Sequence, residues 1–426
     1  MNYHILAVLL LSLSQLFFKV APLYAQTAYQ LEPEYTVGKP SMNCNESVII
    51  IDPAYTDRQI VATNTNHMFV SRNKGRSYKH QTMKSPLGVY GDPVLIHLPS
   101  GIIAYAHLAK AKNKLWPDTF DQIVVQYSAN KGRSWSKGVG TGKNGKMHDK
   151  PWLCVDDNPR SPFYNRVYLT WTQFDKYESR DPKDSTQILF AYSTNQTKSF
   201  TSPIRISERG GDCLDGDSTV EGATACIGPN GEVYVAWAGH EALYLTQSKD
   251  GGENWYKNRI IYHIPKGWDL DIPNYNRTNG LPFIVSDSAG VLYIVTVLEE
   301  NGYNKAILLQ SRNQGLQWER IDLNTTAQSH AMMPHLSLDK KSGTLAILFY
   351  EVVNAKTYVR LLFKKAVQNS FETLTLNPKP FSPPSQNVFF GDYIQVNTIQ
   401  GIIAATWTEI IGDQTIVKTR RLKIIP

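Results

Sequence analysis

The residues of this sequence best suited to chemistry are carboxylates, and they recur at one kind of position. Asp92-Pro93, Lys150-Pro151, Leu281-Pro282 and Met333-Pro334 each open an apolar stretch, and Glu46-Ser47, Gly222-Ala223 and Asp392-Tyr393 open similar ones. Glu46, Asp92 and Asp392 occupy the place before proline or its equivalent, while Asp149 and Glu221 stand one residue earlier. Carboxyl groups set around a shared mouth can divide general-acid and general-base work on a glycosidic bond. The same groups could instead accept hydrogen bonds from loop amides or hold a cation. Because side chains alternate along a strand, the two sets are expected to point in different directions. A second group of candidates closes the strand that follows each opening: His107, His240, Glu241, Glu299, Glu351 and Glu409, with Tyr350 beside Glu351. His148, His330 and His335 fall in the same zone. A histidine near a strand end reads first as a hydrogen-bonded packing residue, and otherwise as the base of a polysaccharide lyase. Trp116, Trp268 and Tyr275 sit on long loops, where they would either stack on sugar rings or anchor the loop.

These residues need a scaffold, and an internal repeat supplies it. The pattern Ser-x-Asn/Asp-x-Gly-x-x-aromatic begins at Ser71, Ser128, Ser248 and Ser311, with a variant at Ser193 in which Thr197 replaces the glycine. The copies are about 55–65 residues apart, a spacing suited to a repeated supersecondary unit. Each is a tight hairpin: the Asn or Asp side chain folds back onto turn amides, glycine takes a positive φ, and the aromatic packs between sheets. The strand-opening series interleaves with this one, giving seven units of four strands without intervening helices. That arrangement predicts an all-β chain forming a β-propeller of seven four-stranded blades, with six as the alternative. The last unit lacks an outer strand, so the segment around residues 31–37 is expected to close the ring. Asp156, Asp287 and Asp339 recur at inner turns and read as turn formers.

The hairpin series resembles the Asp-box (BNR) repeats of the sialidase superfamily. That resemblance implies a propeller whose Asp-boxes are structural and lie on the face opposite the active site. It also implies a site in which three arginines clamp the substrate carboxylate, a tyrosine paired with a glutamate is the nucleophile, and an aspartate is the acid/base. Tyr393 or Tyr350 activated by Glu221 would echo that nucleophile. The Arg-Ile-Pro signature is missing, its place taken by Asn45-Glu46-Ser47-Val48, and the nearest arginines, Arg205, Arg209 and Arg277, lie in or beside loops. Bidentate recognition of a carboxylate depends on guanidinium geometry, so ordinary sialidase activity is not expected.

Residues 5–18 form an apolar run too short to span a bilayer, followed by a plausible cleavage point at Ala25-Gln26. Residues 1–25 therefore read as a signal peptide, residues 26–426 as a single propeller domain, and the protein as secreted or periplasmic without membrane insertion. Four cysteines in an exported chain permit disulfides, Cys213 with Cys226 among the pairings. The formal charge of +7 has no polybasic block behind it, which suits a diffuse positive surface and an acidic partner such as an anionic glycan. No nucleic-acid signature is present. No cofactor is expected beyond, at most, a structural Ca2+ at the acids of Asp212-Cys213-Leu214-Asp215-Gly216-Asp217, which match a calcium loop only in part. The expectation is a glycan-acting propeller: a glycoside hydrolase of the sialidase superfamily, or else a non-catalytic glycan- or protein-binding propeller, or a lyase. Its catalytic candidates are Asp92, Asp149, Glu221, Asp392 and Tyr393. Its substrate-binding candidates are Trp116, Trp268, His240, Tyr350 and Glu351, and no metal ligands are assigned.

Overall fold

A computed structural model describes residues 28–365, 368, 370–385 and 388–425; the expected leader lies outside them. Seven antiparallel sheets are arranged as blades around one axis. Their inner strands are Val48–Ile51, Val94–His97, Met147–Val155, Glu221–Ile227, Phe283–Ser286, His330–Asp339 and Gln395–Ile399. Each inner strand packs against that of the next blade, and the seventh returns to the first. Six blades run inner to outer in sequence order. The seventh takes its outer edge from the start of the chain, where Tyr29–Leu31 and Tyr35–Val37 both pair with Gln414–Ile424. A single 3-10 turn, Pro40–Met42, is the only helix among the described residues.

The alternating sequence makes this assembly favourable. Second strands such as Ile402–Ile411 and Val233–Gly239 are flanked by sheet on both sides and are apolar almost throughout. Trp171, Trp237 and Trp407 lie fully buried there, between neighbouring blades. Edges facing the axis would leave amides unpaired, and side chains from the neighbouring blade satisfy several of them. Ile51 N–H donates to Asn397 Oδ1 at 3.0 Å, Ile49 N–H to Gln395 Oε1 at 2.5 Å, and Thr398 N–H to Ser337 Oγ at 3.0 Å.

The repeated hairpins join third and fourth strands in five blades. In each, the Ser hydroxyl oxygen accepts an N–H four residues on at 2.9–3.0 Å and donates to the Asn or Asp carboxyl or amide oxygen at 2.8–3.0 Å. Two successive left-handed residues make the turn, for example Gly251 (φ 73°) and Gly252 (φ 95°). Asp156, Asp287 and Asp339 each accept a backbone N–H of their own turn. The cysteines are free, and Cys213 and Cys226 belong to different apolar cores, so the Cys213–Cys226 pairing is not formed.

Candidate functional site

The strand openings do converge, and a backbone irregularity is the reason. Pairing of the inner strand with its neighbour slips between Asp149 and Trp152, between Glu221 and Thr224, and between Met332 and His335. Glu46, Asp92, Lys150, Gly222 and Met333 have φ of 44–69° at these openings. Such a bulge breaks the alternation, so consecutive residues such as Asp149 and Lys150 both reach the central cluster. The expectation that the two carboxylate sets point apart is corrected on this ground.

The cluster sits at the floor of an open cavity of about 430 Å3. Glu46, Asp92, Asp149, Lys150, Arg277 and Asp392 form the floor, and Trp116, Tyr90, Tyr177, Phe120 and Phe389 wall it. Arg277 comes from the loop between the fourth and fifth blades. It holds Asp392 through Nε–Oδ1 (2.6 Å) and a second guanidinium nitrogen to Oδ2 (3.0 Å), and holds Asp215 at 2.8 Å. Tyr177 donates to the same Asp215 oxygen at 2.6 Å. Lys150 Nζ donates to Asp392 Oδ2 at 2.7 Å and lies 3.9 Å from Glu221 Oε1. Asn64 bridges Glu46 and the Asp92 amide, while Asp392 N–H donates to Glu46 Oε1 at 3.2 Å. Distant stretches of chain are thereby tied at one point.

Six carboxyl groups (Glu46, Asp92, Asp149, Asp215, Glu221 and Asp392) thus face two cations, Lys150 and Arg277. Burial opposes charge on Asp392, but Arg277 and Lys150 outweigh it and hold the carboxyl below the usual range. Asp215 behaves alike: burial opposes its charge, and Arg277 prevails. Lys150 is desolvated too, yet Asp392, Glu221 and Asp149 keep it firmly protonated. Glu46, Asp92 and Asp149 make no ion pair among the described residues. Burial, then the Asp392 charge, pushes Glu46 up to about 8. Burial and Glu46 push Asp92 up to about 6. Asp149 is raised well above the carboxylate range by burial and by the neighbouring Asp92, and the Lys150 N–H donates to a carboxyl oxygen of each at 2.9 and 3.3 Å. Near neutrality Asp149 carries a proton toward an ionised Asp92, a matched donor and acceptor on a cavity floor.

The other candidates divide between the cavity and the blades around it. Trp116 is at the cavity wall, 56% exposed and edge-on to Tyr177 at 5.3 Å. Glu221 joins the cluster through Lys150, but it is fully buried and its oxygens accept no hydrogen bond. Tyr393 lines a constricted channel of about 50 Å3 that shares Asp92, Lys150 and Asp392 with the cavity, and its buried hydroxyl has no partner. Trp268 is a loop anchor whose indole donates to Thr219 O at 3.2 Å within an apolar core. Tyr350 is wholly buried and donates to Thr408 O at 2.8 Å, which separates it from Glu221. Glu351 is consumed by Thr325, Ser329 and Arg360. His240 sits in a hairpin turn with its ring on Gly210 O at 2.9 Å. Trp268, Tyr350, Glu351 and His240 do not line the cavity, because each is already engaged by a partner within the blades and their connecting loops. His148 accepts the Trp171 indole N–H at 2.7 Å, and His335 is packed against Phe283 and Trp152. The acids of the 212–217 loop diverge, Asp215 to Arg277, Asp217 to the Asp269 amide and Asp212 to Thr219, so they do not form a calcium cage.

The sequence reading passed over Lys150 and placed Arg277 outside the site. Lys150 was findable, since Lys150-Pro151 matches Asp92-Pro93 in position. Arg277 lies in a long loop that carries no local signal of where it folds.

No family model matches the chain, and no curated protein does. Among solved structures it is similar to a polysaccharide lyase of the PL25 ulvan lyase type, at 10% identity and a TM-score of 0.54, covering 91% of this chain and 95% of that one. It is also similar to the NanB sialidase from Streptococcus pneumoniae, at 10% identity and a TM-score of 0.52, covering 89% and 83%. Likeness at this identity establishes fold alone: the chain is a seven-bladed β-propeller.

Proposed function

We propose that this propeller is a glycan-acting hydrolase whose acid/base centre is the Asp92–Asp149 pair. The observation that carries the reading is that adjacent pair, both joined to the Lys150 amide, on the floor of an aromatic-walled cavity, where burial pushes both carboxyls upward. Asp149 gives its proton to the departing glycosidic oxygen as that C–O bond breaks, and the water that then adds to the anomeric carbon returns a proton to the Asp92–Asp149 pair, because two adjacent carboxyls leave no space for a water between them. Trp116 and Tyr177 offer ring faces and edges to the sugar. The site is read as one for a neutral sugar residue: carboxyl groups outnumber cations, and Arg277 is already bound to Asp392 and Asp215, which leaves no free clamp for a sialate or uronate. We also read the five hairpins as Asp-boxes of the sialidase superfamily, a reading supported by their common hydrogen-bond pattern and their position away from the cavity.

The test is turnover of a panel of neutral and anionic glycans by the mature protein, with Asp92→Asn and Asp149→Asn beside it. Each substitution is expected to lower kcat by about 10²–10⁴ while glycan binding persists. Binding without turnover of any substrate would make the protein a non-catalytic glycan-binding propeller, and an unsaturated product would make it a lyase.

A further inference from the structure

On the face opposite the cavity, the first two repeated hairpins carry the same residues in the same places: Asn73-Lys74-Gly75-Arg76-Ser77 and Asn130-Lys131-Gly132-Arg133-Ser134. The strand order puts these turns at the far end of their blades, since an inner strand leads away from the cavity and the third strand leads away again. Between them lies a groove of about 570 Å3, lined by Arg72, Lys79, Lys131 and Arg133 among neutral residues and no carboxylate. The turns are held in register, with Gln81 Nε2 donating to Gly132 O at 2.7 Å. Among the described residues, none of the four cations makes an ion pair. Lys131 is steadied over the Tyr55 ring at 4.2 Å, and the nearby Asp57 is turned to Lys74 instead. The corresponding turn of the fourth blade carries Asp250 and Glu253, so the basic character belongs to this pair of blades and not to the repeat as such.

We propose that this groove is a binding site for an anionic glycan, a chain bearing sulfate or carboxylate groups, distinct from the catalytic cavity. Four unpaired cations on two rigid turns form a preorganised row for successive anionic groups. The forked guanidinium groups of Arg72 and Arg133 suit two oxygens of a sulfate or a carboxylate. A single-stranded nucleic acid fits less well, because the groove offers no free ring for base stacking. Its one aromatic, Tyr78, is half-buried with its hydroxyl engaged by Gln59. The net positive charge that looked diffuse in the sequence is, in part, gathered here.

The experiment is fluorescence anisotropy of a labelled heparin hexasaccharide against the full mature chain across a salt series, with neutral dextran and an oligo-dT probe of matched charge. Binding that weakens as salt rises is expected, stronger for the hexasaccharide than for oligo-dT, and none for dextran. Arg72→Glu with Arg133→Glu should raise Kd at least about tenfold and reduce the salt dependence. Lys249→Glu with Arg312→Glu, cations on other hairpins, should change Kd by less than about twofold. Should the first pair misfold, Lys79→Gln with Lys131→Gln reads the same groove with a smaller charge change. An unchanged Kd in the groove variants, an equal loss in the control, or a preference for oligo-dT would overturn the proposal. The outcome is independent of turnover in the cavity.

Discussion

Charge persists on two buried carboxylates of the cavity floor because cations lie directly against them. Asp392 has Arg277 and Lys150, and Asp215 has Arg277. A carboxyl left over must keep its proton or share one, which is the state of Asp149 against Asp92. Tyr393 tests how far this logic extends. Its hydroxyl is buried without a partner, so removing it relieves an unsatisfied polar group instead of breaking a bond. Tyr393→Phe is expected to match the parent in stability or exceed it by about 1 kcal/mol, with turnover retained. A thermal melt and a rate assay check this, and loss of turnover would return Tyr393 to the role of nucleophile.

Two devices at the scale of the element build the site, and they differ in how visible they are. The hairpins are plain in sequence because serine, Asn or Asp, glycine and an aromatic are each needed at a fixed place. Gly252 illustrates the constraint: φ is 95°, and an added Cβ would lie 2.5 Å from Phe190 Cζ. Gly252→Ala should therefore cost about 1–3 kcal/mol, read as a fall in denaturation midpoint with an unchanged slope. The strand-opening bulges are less legible. The residue types at Asp149, Lys150 and Glu221 are visible, but strand alternation assigns their directions wrongly until the slipped pairing is known. Loop residues are least legible of all. Nothing near Arg277 announces that it crosses to Asp392, and nothing near Trp268 announces that it turns inward to Thr219. Glu351 and Tyr350 stand at a strand end as expected, but their partners, Arg360 on the adjacent strand and Thr408 on the next blade, are not assigned by periodicity alone.

At the scale of the molecule, ring closure is what forces acids from separate blades together. The blade count and the N-terminal closing strand were both readable, because each repeat needs a neighbour and the last one visibly lacked an edge. Closure also has an electrostatic consequence. Glu46 and Asp92 hold protons in the folded state, up to about pH 8 and about pH 6, that the unfolded chain loses near its ordinary carboxylate values. Stability should therefore fall as pH rises from about 5 to about 8. Asp392 and Asp215, whose pKa values are lowered, act oppositely and lose their contribution in acid, below the ordinary aspartate range. Glu46→Gln should flatten the alkaline decline in melting temperature, which melts at the two pH values would reveal. The most direct measurement is a pH titration of 13C-carboxyl-labelled aspartate by NMR, with Asp92→Asn and Asp149→Asn supplying the assignments. One resonance should titrate near pH 6 and vanish in Asp92→Asn, and another, absent in Asp149→Asn, should remain protonated through neutrality. Two carboxyls titrating independently near about pH 4, the value of free aspartate, would contradict the shared-proton pair.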